Sequence, residues 1–578
     1  YRDRGYLKFS IESSQISLSR DKKSIFITFN VNEGKKYTIN NVNIIGEIPF
    51  EENIYINILE NLKKETYSQA QITSIEEFFV DVLGNRGYAF AEVKGDTETI
   101  DDSNQVDLTF AVIPGKKTYT RKILFTGNHV TQDEVLRREM RQFEGAWSSN
   151  NSIEAGKVRL ERLGYFKEVN VETLPVVGTE DQIDIVYSVE EETTGSVGGN
   201  LGYSDFGLML GFNLQEQNFL GSGNTVGIGI NKNIYSESYN ISFVDPYATE
   251  DGVSLGYNIY FRETDYGEFN VANYLTNSNG LGAQFGYPIS DITRLGFSLT
   301  YDKTDIDIGT LPAREIYDFV AAEGNLFETL SAQASWQRVT LNRGLFPTSG
   351  SSTVLSLSAT IPGSDLNYYR ANIRQRYYRP LSSNFVFGFQ GELGYLNAYG
   401  DTEETPFFQN FYAGGPRSLR GFESNTLGPR STDAPCYEFN YEEETCPNLI
   451  DTDGDGVLDS PYINPYANTT SRYRDRPIGG NIKIEGSLQL IFKLPIIEDQ
   501  RSIRSAFFLD FGNVFSDNCR DYQINCYKPS VDDLRYSYGV GVTWITGFGP
   551  LSLAIAKPSN AGPQERTEEF QFTVGNVF

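Results

Sequence analysis

Apolar and polar residues alternate in short runs from about Gly195 to the end of the chain, and clusters of Gly, Asn, Asp and Ser separate the runs. One run places Leu355 and Leu357 on one side and Ser356 and Ser358 on the other. Successive side chains of a β-strand point to opposite faces, so each run predicts a strand with one apolar and one polar face. A chain with this pattern over most of its length forms antiparallel sheet, which packs as a sandwich or closes as a barrel.

Composition separates a soluble sandwich from a membrane barrel, because both would show this alternation. The chain of 578 residues holds 36 Tyr, 39 Phe and 54 Gly, and many of its alternate polar positions are small or charged. Aromatic faces suit lipid, whereas small or charged faces suit a water-filled lumen. At roughly 24 residues for a strand and its connection, residues 194–578 form about sixteen strands, an even number that membrane barrels allow. The sequence therefore predicts a 16-stranded antiparallel transmembrane β-barrel over 194–578.

Three related segments precede the barrel. A Gly-Tyr pair recurs in them, each time followed by an alternating strand, at Gly5-Tyr6, Gly87-Tyr88 and Gly164-Tyr165. Apolar residues at helical spacing lie between one strand and the next pair: Ile72, Ile75, Phe79 and Leu83, then Val135, Leu136, Met140 and Phe143. The repeat predicts α+β domains with the order β-α-α-β-β. We place a half unit at 1–35, which we expect to begin upstream of Tyr1, and complete units at 36–115 and 116–193.

These repeats resemble POTRA domains, the periplasmic modules of outer-membrane assembly proteins. The second complete unit carries Leu-Arg-Arg-Glu-Met-Arg-Gln-Phe-Glu-Gly-Ala-Trp at 136–147. The barrel region carries Asn-Arg-Gly-Leu-Phe-Pro-Thr-Ser-Gly at 342–350, Asp-Pro-Tyr at 245–247 and Gly-Pro-Leu at 549–551. Together the repeats and these motifs cover essentially the whole chain, which resembles the BamA family of outer-membrane β-barrel assembly factors.

The resemblance implies a function without catalysis. A member of this family folds and inserts β-barrel proteins into the outer membrane of a Gram-negative bacterium, with its POTRA domains in the periplasm. Its expected partners are unfolded barrel clients, accessory lipoproteins and outer-membrane lipid. Glu144 matches the position at which the family docks a lipoprotein partner. The net charge of −27 argues against nucleic acid as a partner.

The resemblance also implies a lateral gate where the barrel closes, and POTRA strand edges that add an incoming strand. We place the first barrel strand near Gly198–Gly211 and the last at Phe570–Phe578. The candidate seam residues are glycines of the first strand and alternating apolar residues of the last: Gly198, Gly202, Phe570, Phe572, Val574 and Phe578. Glycine inside a strand weakens pairing, so we expect this seam to be a weak junction.

A long extracellular connection, loop six, is predicted at about 411–480. Near its start an arginine stands among glycines, within the motif Leu419, Arg420, Gly421 and Phe422. An arginine folded into a lumen needs a carboxylate partner, because an unpaired buried charge costs several kcal/mol. Asp510 alternates with Leu509 and Phe511 and is therefore predicted to face inward.

In the family, the corresponding motif tethers loop six to lumenal acids of neighbouring strands. Asp510 matches one of those acids. A second is usually glutamate, and this chain has Gln489 at the matching position. The departure weakens the second contact, unless Glu485 compensates by another route.

Four cysteines form two local pairs in loop-like sequence, Cys436 with Cys446 and Cys519 with Cys526. No zinc-ligand pattern accompanies them, so we predict two loop disulfides in an oxidising compartment.

An acidic part of loop six has the spacing of a calcium loop. Its carboxylates are Asp451, Asp453, Asp455 and Asp459, although Tyr462 stands where the closing glutamate would be. Two interpretations stay open: weak Ca²⁺ binding, or an acidic exposed turn. No other cofactor is predicted.

Little in the sequence favours an enzyme. His129 is the only histidine, no nucleophile stands beside it in sequence, and no phosphate-binding glycine loop is present. Two other functions share part of the pattern: a translocation-assembly protein similar to TamA, and a two-partner secretion transporter that exports a polypeptide. Exporters of that class carry two POTRA domains, so the additional half unit favours assembly over export.

Overall fold

The computed structural model describes residues 1–578 except 20–22, 101, 205–206, 270, 273, 291, 309–312, 433–475, 495–501, 521–522, 524–525, 547–548 and 576–578. The chain divides into two compact units. The first comprises Tyr1–Thr194 with Leu220–Ser222, and the second comprises Gly195–Phe219 with Gly223–Phe578. Within the described ranges, no helix is long and apolar enough to cross a membrane.

The first unit contains a hairpin and two small α+β domains. The hairpin consists of β1 (Ser10–Leu18) and β2 (Ile25–Asn32). The first domain consists of β3 (Thr38–Gly46), α1 (Ile56–Leu62), α2 (Gln69–Gly84), β4 (Glu92–Ile100) and β5 (Gln105–Ile113). The second consists of β6 (Tyr119–Thr126), α3 (Asp133–Arg137), α4 (Asn150–Leu163), β7 (Phe166–Pro175) and β8 (Gln182–Glu191). The sheets have the orders β3-β5-β4 and β6-β8-β7, and the first pair in each is parallel.

The predicted β-α-α-β-β order is confirmed in both domains. Ser68 and Ser149 cap α2 and α4, because each hydroxyl accepts a hydrogen bond from a backbone N–H three residues on, at 3.4 Å. The predicted apolar face of α2 is also confirmed, since Ile72, Phe79 and Leu83 are buried. These caps and faces are local, which is why the sequence pattern reveals them.

The predicted apolar face of the second domain is wrong at one residue. Val135, Leu136 and Met140 are buried, but Phe143 is 70% exposed. Helix α3 ends at Arg137, so helical spacing no longer governs the side chain six residues later.

The second unit is a closed antiparallel barrel of sixteen strands, as predicted. Its strands are β9 (Gly195–Ser204), β10 (Gly207–Phe219), β11 (Asn224–Lys232), β12 (Ser236–Asp245), β13 (Ser254–Asp265), β14 (Leu275–Ser290), β15 (Thr293–Asp307), β16 (Leu326–Val339), β17 (Gly350–Thr360), β18 (Tyr368–Pro380), β19 (Phe385–Ala398), β20 (Ile482–Phe492), β21 (Ile503–Phe515), β22 (Arg535–Thr546), β23 (Gly549–Ser559) and β24 (Phe570–Val574). Neighbours in sequence are neighbours in the wall, and β24 meets β9 to close it.

Alternation along the strands separates an outer apolar face from an inner polar face. On β21, Leu509 is 41% exposed and the adjacent Asp510 is fully buried. On β13, Tyr257, Ile259 and Phe261 are all about half exposed. Large apolar side chains on the outside of a closed barrel match a lipid solvent, and the enclosed polar side chains match a wet lumen.

Loop six is longer than predicted, since β19 ends at Ala398 and β20 begins at Ile482. Its base is closed by a bridge between Phe411 and Gly480. A helix, α5 (Arg314–Glu323), lies in another connection, and short 3₁₀ turns lie at Arg2–Arg4, Glu52–Ile54, Tyr266–Phe269 and Phe407–Gln409. Residues of loop six pack with α5 in a buried apolar cluster that includes Tyr274, Ile316, Phe319, Phe327, Phe407 and Ile478.

Candidate functional site: the loop-six motif and the barrel seam

The ion pair expected between Arg420 and Asp510 is present inside the barrel. Arg420 Nε donates to Asp510 Oδ2 and Nη2 donates to Oδ1, each at 2.7 Å. The backbone N–H of Arg420 also donates to Oδ2, at 3.2 Å. Nη2 makes a further bond of 3.1 Å to Ser487 Oγ, and the guanidinium carbon lies 3.4 Å from the centre of the Phe508 ring. Both side chains of the pair are almost completely buried, at 7% and 0% exposure.

This geometry fixes the arginine in one orientation. A guanidinium bound through two parallel N–H groups matches a carboxylate in both distance and direction. Stacking on Phe508 covers one face of the guanidinium and adds an attraction of about 0.5–2 kcal/mol. Because the carboxylate accepts three hydrogen bonds from one residue, removing Asp510 would leave a buried charge without its counter-ion.

The other motif residues position the backbone. Leu419 and Phe422 are fully buried in an apolar cluster with Leu396 and Val514 of the wall. Gly421 has φ +89°, and a Cβ built on it would lie 3.1 Å from the Cβ of Ala556. A side chain at this position would therefore be strained by both the backbone conformation and the wall.

A second anchor lies two residues before Arg420. The Ser418 hydroxyl donates to Glu485 Oε1 and accepts from the backbone N–H of Gly414, at 2.9 Å. Lys483 lies between two lumenal carboxylates, 3.0 Å from Glu485 Oε2 and 3.6 Å from Glu392 Oε2. Loop six is thus bound to both β20 and β21.

Gln489 is not a direct partner of the motif. Its Nε2 donates to Ser487 Oγ at 3.3 Å, and Ser487 in turn accepts from Arg420. Glu485 makes the second acidic contact to loop six, through Ser418 instead of the arginine. The amide at Gln489 carries no charge, so it cannot act as a second counter-ion to Arg420.

The seam between β9 and β24 has one paired position among the described residues, Tyr203 with Val574. The Phe572 ring lies 6.2 Å from that of Tyr203 on the outer face. Phe570 is also on the outer face, at 59% exposure. The predicted last residue of the seam, Phe578, lies outside the described residues.

Glycines occupy the first strand of the seam as predicted. A Cβ on Gly202 would lie 3.1 Å from the carbonyl oxygen of Val574, so the two strands approach closely there. Gly198 instead lies against Asn213 of β10. The predicted extent of the first strand is wrong, because β9 ends at Ser204 and Gly211 belongs to β10.

The sequence interpretation missed four residues of this site: Ser418, Ser487, Phe508 and Gln571. Ser487, Phe508 and Gln571 lie on strands at inward positions of the alternation, so the pattern could indicate that they face the lumen, whereas Ser418 lies in loop six, where no strand pattern applies. It could not indicate which atoms they contact, because those partners come from distant strands.

Glu144 lies in the second complete domain and its side chain is 44% exposed. Its Oε1 accepts from the backbone N–H of Ile123 at 2.8 Å and lies 3.2 Å from Arg137 Nη1. The residue therefore supports β6 locally, and a contact with a partner lipoprotein stays a prediction.

Of the two predicted disulfides, Cys519–Cys526 is confirmed. Cys436 and Cys446 lie outside the described residues, as do the candidate calcium ligands Asp451, Asp453, Asp455 and Asp459. Among the residues that are described, no cluster of three His, Cys, Asp or Glu side chains could hold a metal ion.

Comparisons with known proteins agree with the observed architecture. Residues 218–578 match the family model of the Omp85 superfamily domain, and residues 37–115 and 118–192 match the POTRA model, described as a surface antigen variable number repeat. The outer membrane protein assembly factor BamA of Neisseria meningitidis serogroup B is 30% identical over 606 residues, which are 100% of this chain and 71% of that protein.

Two solved structures extend the comparison. The crystal structure of BamA from Haemophilus ducreyi lacking POTRA domains 1–3 has a TM-score of 0.75 and 31% identity, and the match covers 93% of this chain and 99% of that one. CdiB from Escherichia coli has a TM-score of 0.50 at 12% identity, covering 94% of this chain and 91% of that one, and shares the fold alone. On the family match and the identity to BamA, this chain belongs to the Omp85 superfamily and, within it, to the BamA family of outer membrane protein assembly factors.

Proposed function

We propose that this outer-membrane protein folds and inserts β-barrel clients by opening laterally between β9 and β24. One observation carries the proposal: the described residues of this junction share a single paired position, whereas the other junctions of the wall share five to fifteen. Each backbone hydrogen bond makes a net contribution of about 0.5–1.5 kcal/mol to the pairing of two strands. The junction with the fewest paired residues therefore needs the least free energy to separate.

An opened seam would present two unsatisfied strand edges to lipid. Unpaired backbone groups are strongly unfavourable in hydrocarbon, and a client strand that pairs with such an edge satisfies them. Pairing of this kind depends on backbone groups and tolerates many client sequences. Strand addition therefore supplies both the driving force for insertion and a template for the client.

The POTRA domains are proposed to receive clients before they reach the barrel. In each three-stranded sheet, β4 or β7 is an edge strand with one row of unshared backbone groups. An extended client segment can add to such an edge through main-chain hydrogen bonds. Glu144, beside the exposed ring of Phe143, is the proposed contact for an accessory lipoprotein.

A disulfide across the seam tests the gating proposal. Cysteines at Tyr203 and Val574, which are directly paired, should lock the junction, and a matched pair at Tyr538 and Lys557 should lock β22 to β23. We expect the oxidised seam variant to lose client assembly and to regain it on reduction, whereas the control keeps its activity in both states. Undiminished assembly by the locked seam would exclude lateral opening.

Export of a polypeptide is the alternative function. The likeness to CdiB concerns the fold alone and gives export no support of its own. A translocation-assembly function would also use the seam, and the identity of the clients in a reconstituted assay distinguishes it from general barrel assembly.

A further inference from the structure

The chain that leads into the last strand is bonded to loop six along much of its length. This terminal segment (566–571) forms an antiparallel bridge to the motif between Phe422 and Thr567. The backbone N–H of Glu423 donates to the Arg566 carbonyl at 3.0 Å, and that of Glu568 donates to the Gly421 carbonyl at 2.9 Å. Loop six therefore acts as an additional strand on the lumenal side of the terminal segment.

Gln571 completes this ladder with its side chain. Its Oε1 accepts from the backbone N–H of Gly421 at 3.2 Å, and its Nε2 donates to the carbonyl of Phe422 at 2.8 Å. The residue is 1% exposed, whereas Phe570 and Phe572 on either side of it face outward. One carboxamide thus satisfies the backbone of two consecutive residues next to Arg420.

The wall itself holds the terminal segment only in part. Strand β23 pairs with β22 from Gly549 to Ser559, but it pairs with β24 only from Leu551 to Ile555. Beyond that point a single bond from the Ala556 N–H to the Glu569 carbonyl, at 2.8 Å, continues the contact. Residues 566–568 of the terminal segment therefore follow loop six, whereas Phe570 and Gln571 pair with Ile555 and Ala554 of the wall.

From these contacts we infer that Gln571 is a positioning residue of the seam, which fixes the last strand to loop six and, through Arg420 and Asp510, to β21. The inference rests on the proposed lateral opening for its functional consequence. Among the described residues, β24 is held to β9 by one residue pair on the seam side, and on the lumenal side it is held by Gln571 and the ladder. Strand β23 still pairs with β24 at five positions without the Gln571 contacts, but the last strand loses its attachment to loop six, so its edge is no longer presented to the seam in one register.

A cysteine pair placed in the ladder reports this contact directly. Glu423 and Arg566 are opposite each other in the register that the Phe422–Thr567 bridge defines. Opposite residues of antiparallel strands have Cα atoms about 4.5–5.5 Å apart, within the range of a disulfide. The full chain with cysteines at these two positions is inserted into phospholipid vesicles, and the oxidised fraction and the rate of client assembly are measured.

Gln571→Leu in this background removes both hydrogen bonds and keeps the side-chain volume. We expect the crosslinked fraction to fall at least about threefold and assembly to slow by a similar factor. Gln333→Leu, which makes the same substitution at an exposed position of β16 on another part of the wall, is the control for the change of residue type and should change neither. Oxidising the pair in the Gln571→Leu chain should restore assembly, because the covalent bond replaces the lost contact; a packing defect would not be restored.

Each other result overturns the inference. An unchanged crosslinked fraction in Gln571→Leu, or lost assembly that the crosslink does not restore, contradicts a positioning role. Absence of the crosslink in the parent chain contradicts the register of the ladder. If Gln571→Leu fails to fold, Gln571→Asn keeps the amide but is one methylene too short to reach both backbone atoms, and the same outcomes apply. The crosslinked fraction does not depend on lateral opening, so failure of the gating proposal is seen separately in the locked seam variant.

Discussion

The tip of loop six and the seam differ sharply in how they are held. Arg420 meets Asp510 through three hydrogen bonds in a site closed to water, and stacks on Phe508. The seam, in the part of it that the structure describes, has one residue pair, Tyr203 with Val574. The difference shows that the barrel is fixed from its lumen at the place where its wall is weakest. Under the proposed lateral opening, the β9–β24 ladder cannot itself stabilise the junction, and contacts from the lumen would then set the register of its strands.

Loss of the ion pair at the tip of loop six should have the largest effect on stability. Asp510→Ala leaves the Arg420 guanidinium buried without its counter-ion, and we expect a loss of roughly 3–5 kcal/mol in the stability of the loop-six site. Urea unfolding of the full chain, followed by the heat-dependent gel mobility of folded barrels, measures the loss.

The exposed pair Lys303–Glu328 provides the control for that change. Both side chains are about half exposed, so Glu328→Ala should change stability little. The exchanged pair Arg420→Asp with Asp510→Arg tests the pairing further. Full stability in either single variant would contradict the anchor, and a swap that rescues nothing would show that its geometry cannot be inverted.

A smaller loss is expected from Gly421→Ala. The residue has φ +89° and the new methyl group would lie 3.1 Å from Ala556, so we expect a cost of about 1–2 kcal/mol. Gly229→Ala on β11 is the control, because no atom lies within 4 Å of the added carbon. Equal urea-unfolding midpoints for the two variants would show that the close approach of Gly421 to Ala556 does not limit the residue at this position.

Gly202→Ala tests whether pairing at the seam depends on the close approach of its two strands. The added carbon would lie 2.9 Å from Met209 Cε, the end of a flexible side chain, and 3.1 Å from the Val574 carbonyl oxygen, so it would separate the strands at the position where their described residues pair. We expect disulfide formation between cysteines at Tyr203 and Val574 to slow several-fold. Gly199→Ala, with open space around the added carbon, should leave the rate unchanged. Equal rates would show that close approach at Gly202 is not needed for pairing.

The smallest effect is expected at the outer end of loop six, where Glu315 accepts the backbone N–H of Thr432 at 2.9 and 3.1 Å. Burial raises the pKa of Glu315 above its ordinary value, although the bonds from Thr432 oppose the shift. A raised folded pKa means that the carboxyl contributes stability when it is protonated at low pH, and that this contribution is lost as pH rises through the folded pKa. Amide exchange at Thr432, corrected for its intrinsic rate, should therefore be slower near pH 4.5 than at pH 7.

Glu315→Gln provides the comparison, since a neutral amide still accepts one bond and does not titrate. The variant should show no such pH dependence and equal or slower exchange at pH 7. A pH dependence that persists in the variant would assign it to another group.

Much of the architecture could be predicted because its determinants are local or periodic. The apolar face of α2 and the inward position of Asp510 both follow from spacing along the chain. Prediction failed where an element ended early. Phe143 is exposed because α3 stops at Arg137, and the first barrel strand is shorter than its glycine pattern suggested.

The candidate site was less accessible from the sequence. The charge of Arg420 and the predicted inward orientation of Asp510 were enough to predict a contact between two residues that lie 90 positions apart in the chain. Gln489 was predicted as a partner of the motif, with Glu485 as the alternative by another route, and in the structure Glu485 makes the second contact, through Ser418. Alternation along a strand predicts which residues face the lumen. It does not predict which of those residues lies level with the tip of loop six.

The sequence by itself determined the class of fold, the number of barrel strands and the inward position of residues such as Asp510, because the pleat of a strand and the turn of a helix impose fixed periods on polarity. It also determined that an arginine in loop six needed an acid, because a buried charge is costly without one. Only the tertiary structure decided that Gln571 binds the motif backbone and that β24 pairs with β9 at Tyr203 and Val574. Those contacts join segments far apart in the chain, and their geometry depends on where closure of the barrel brings each strand.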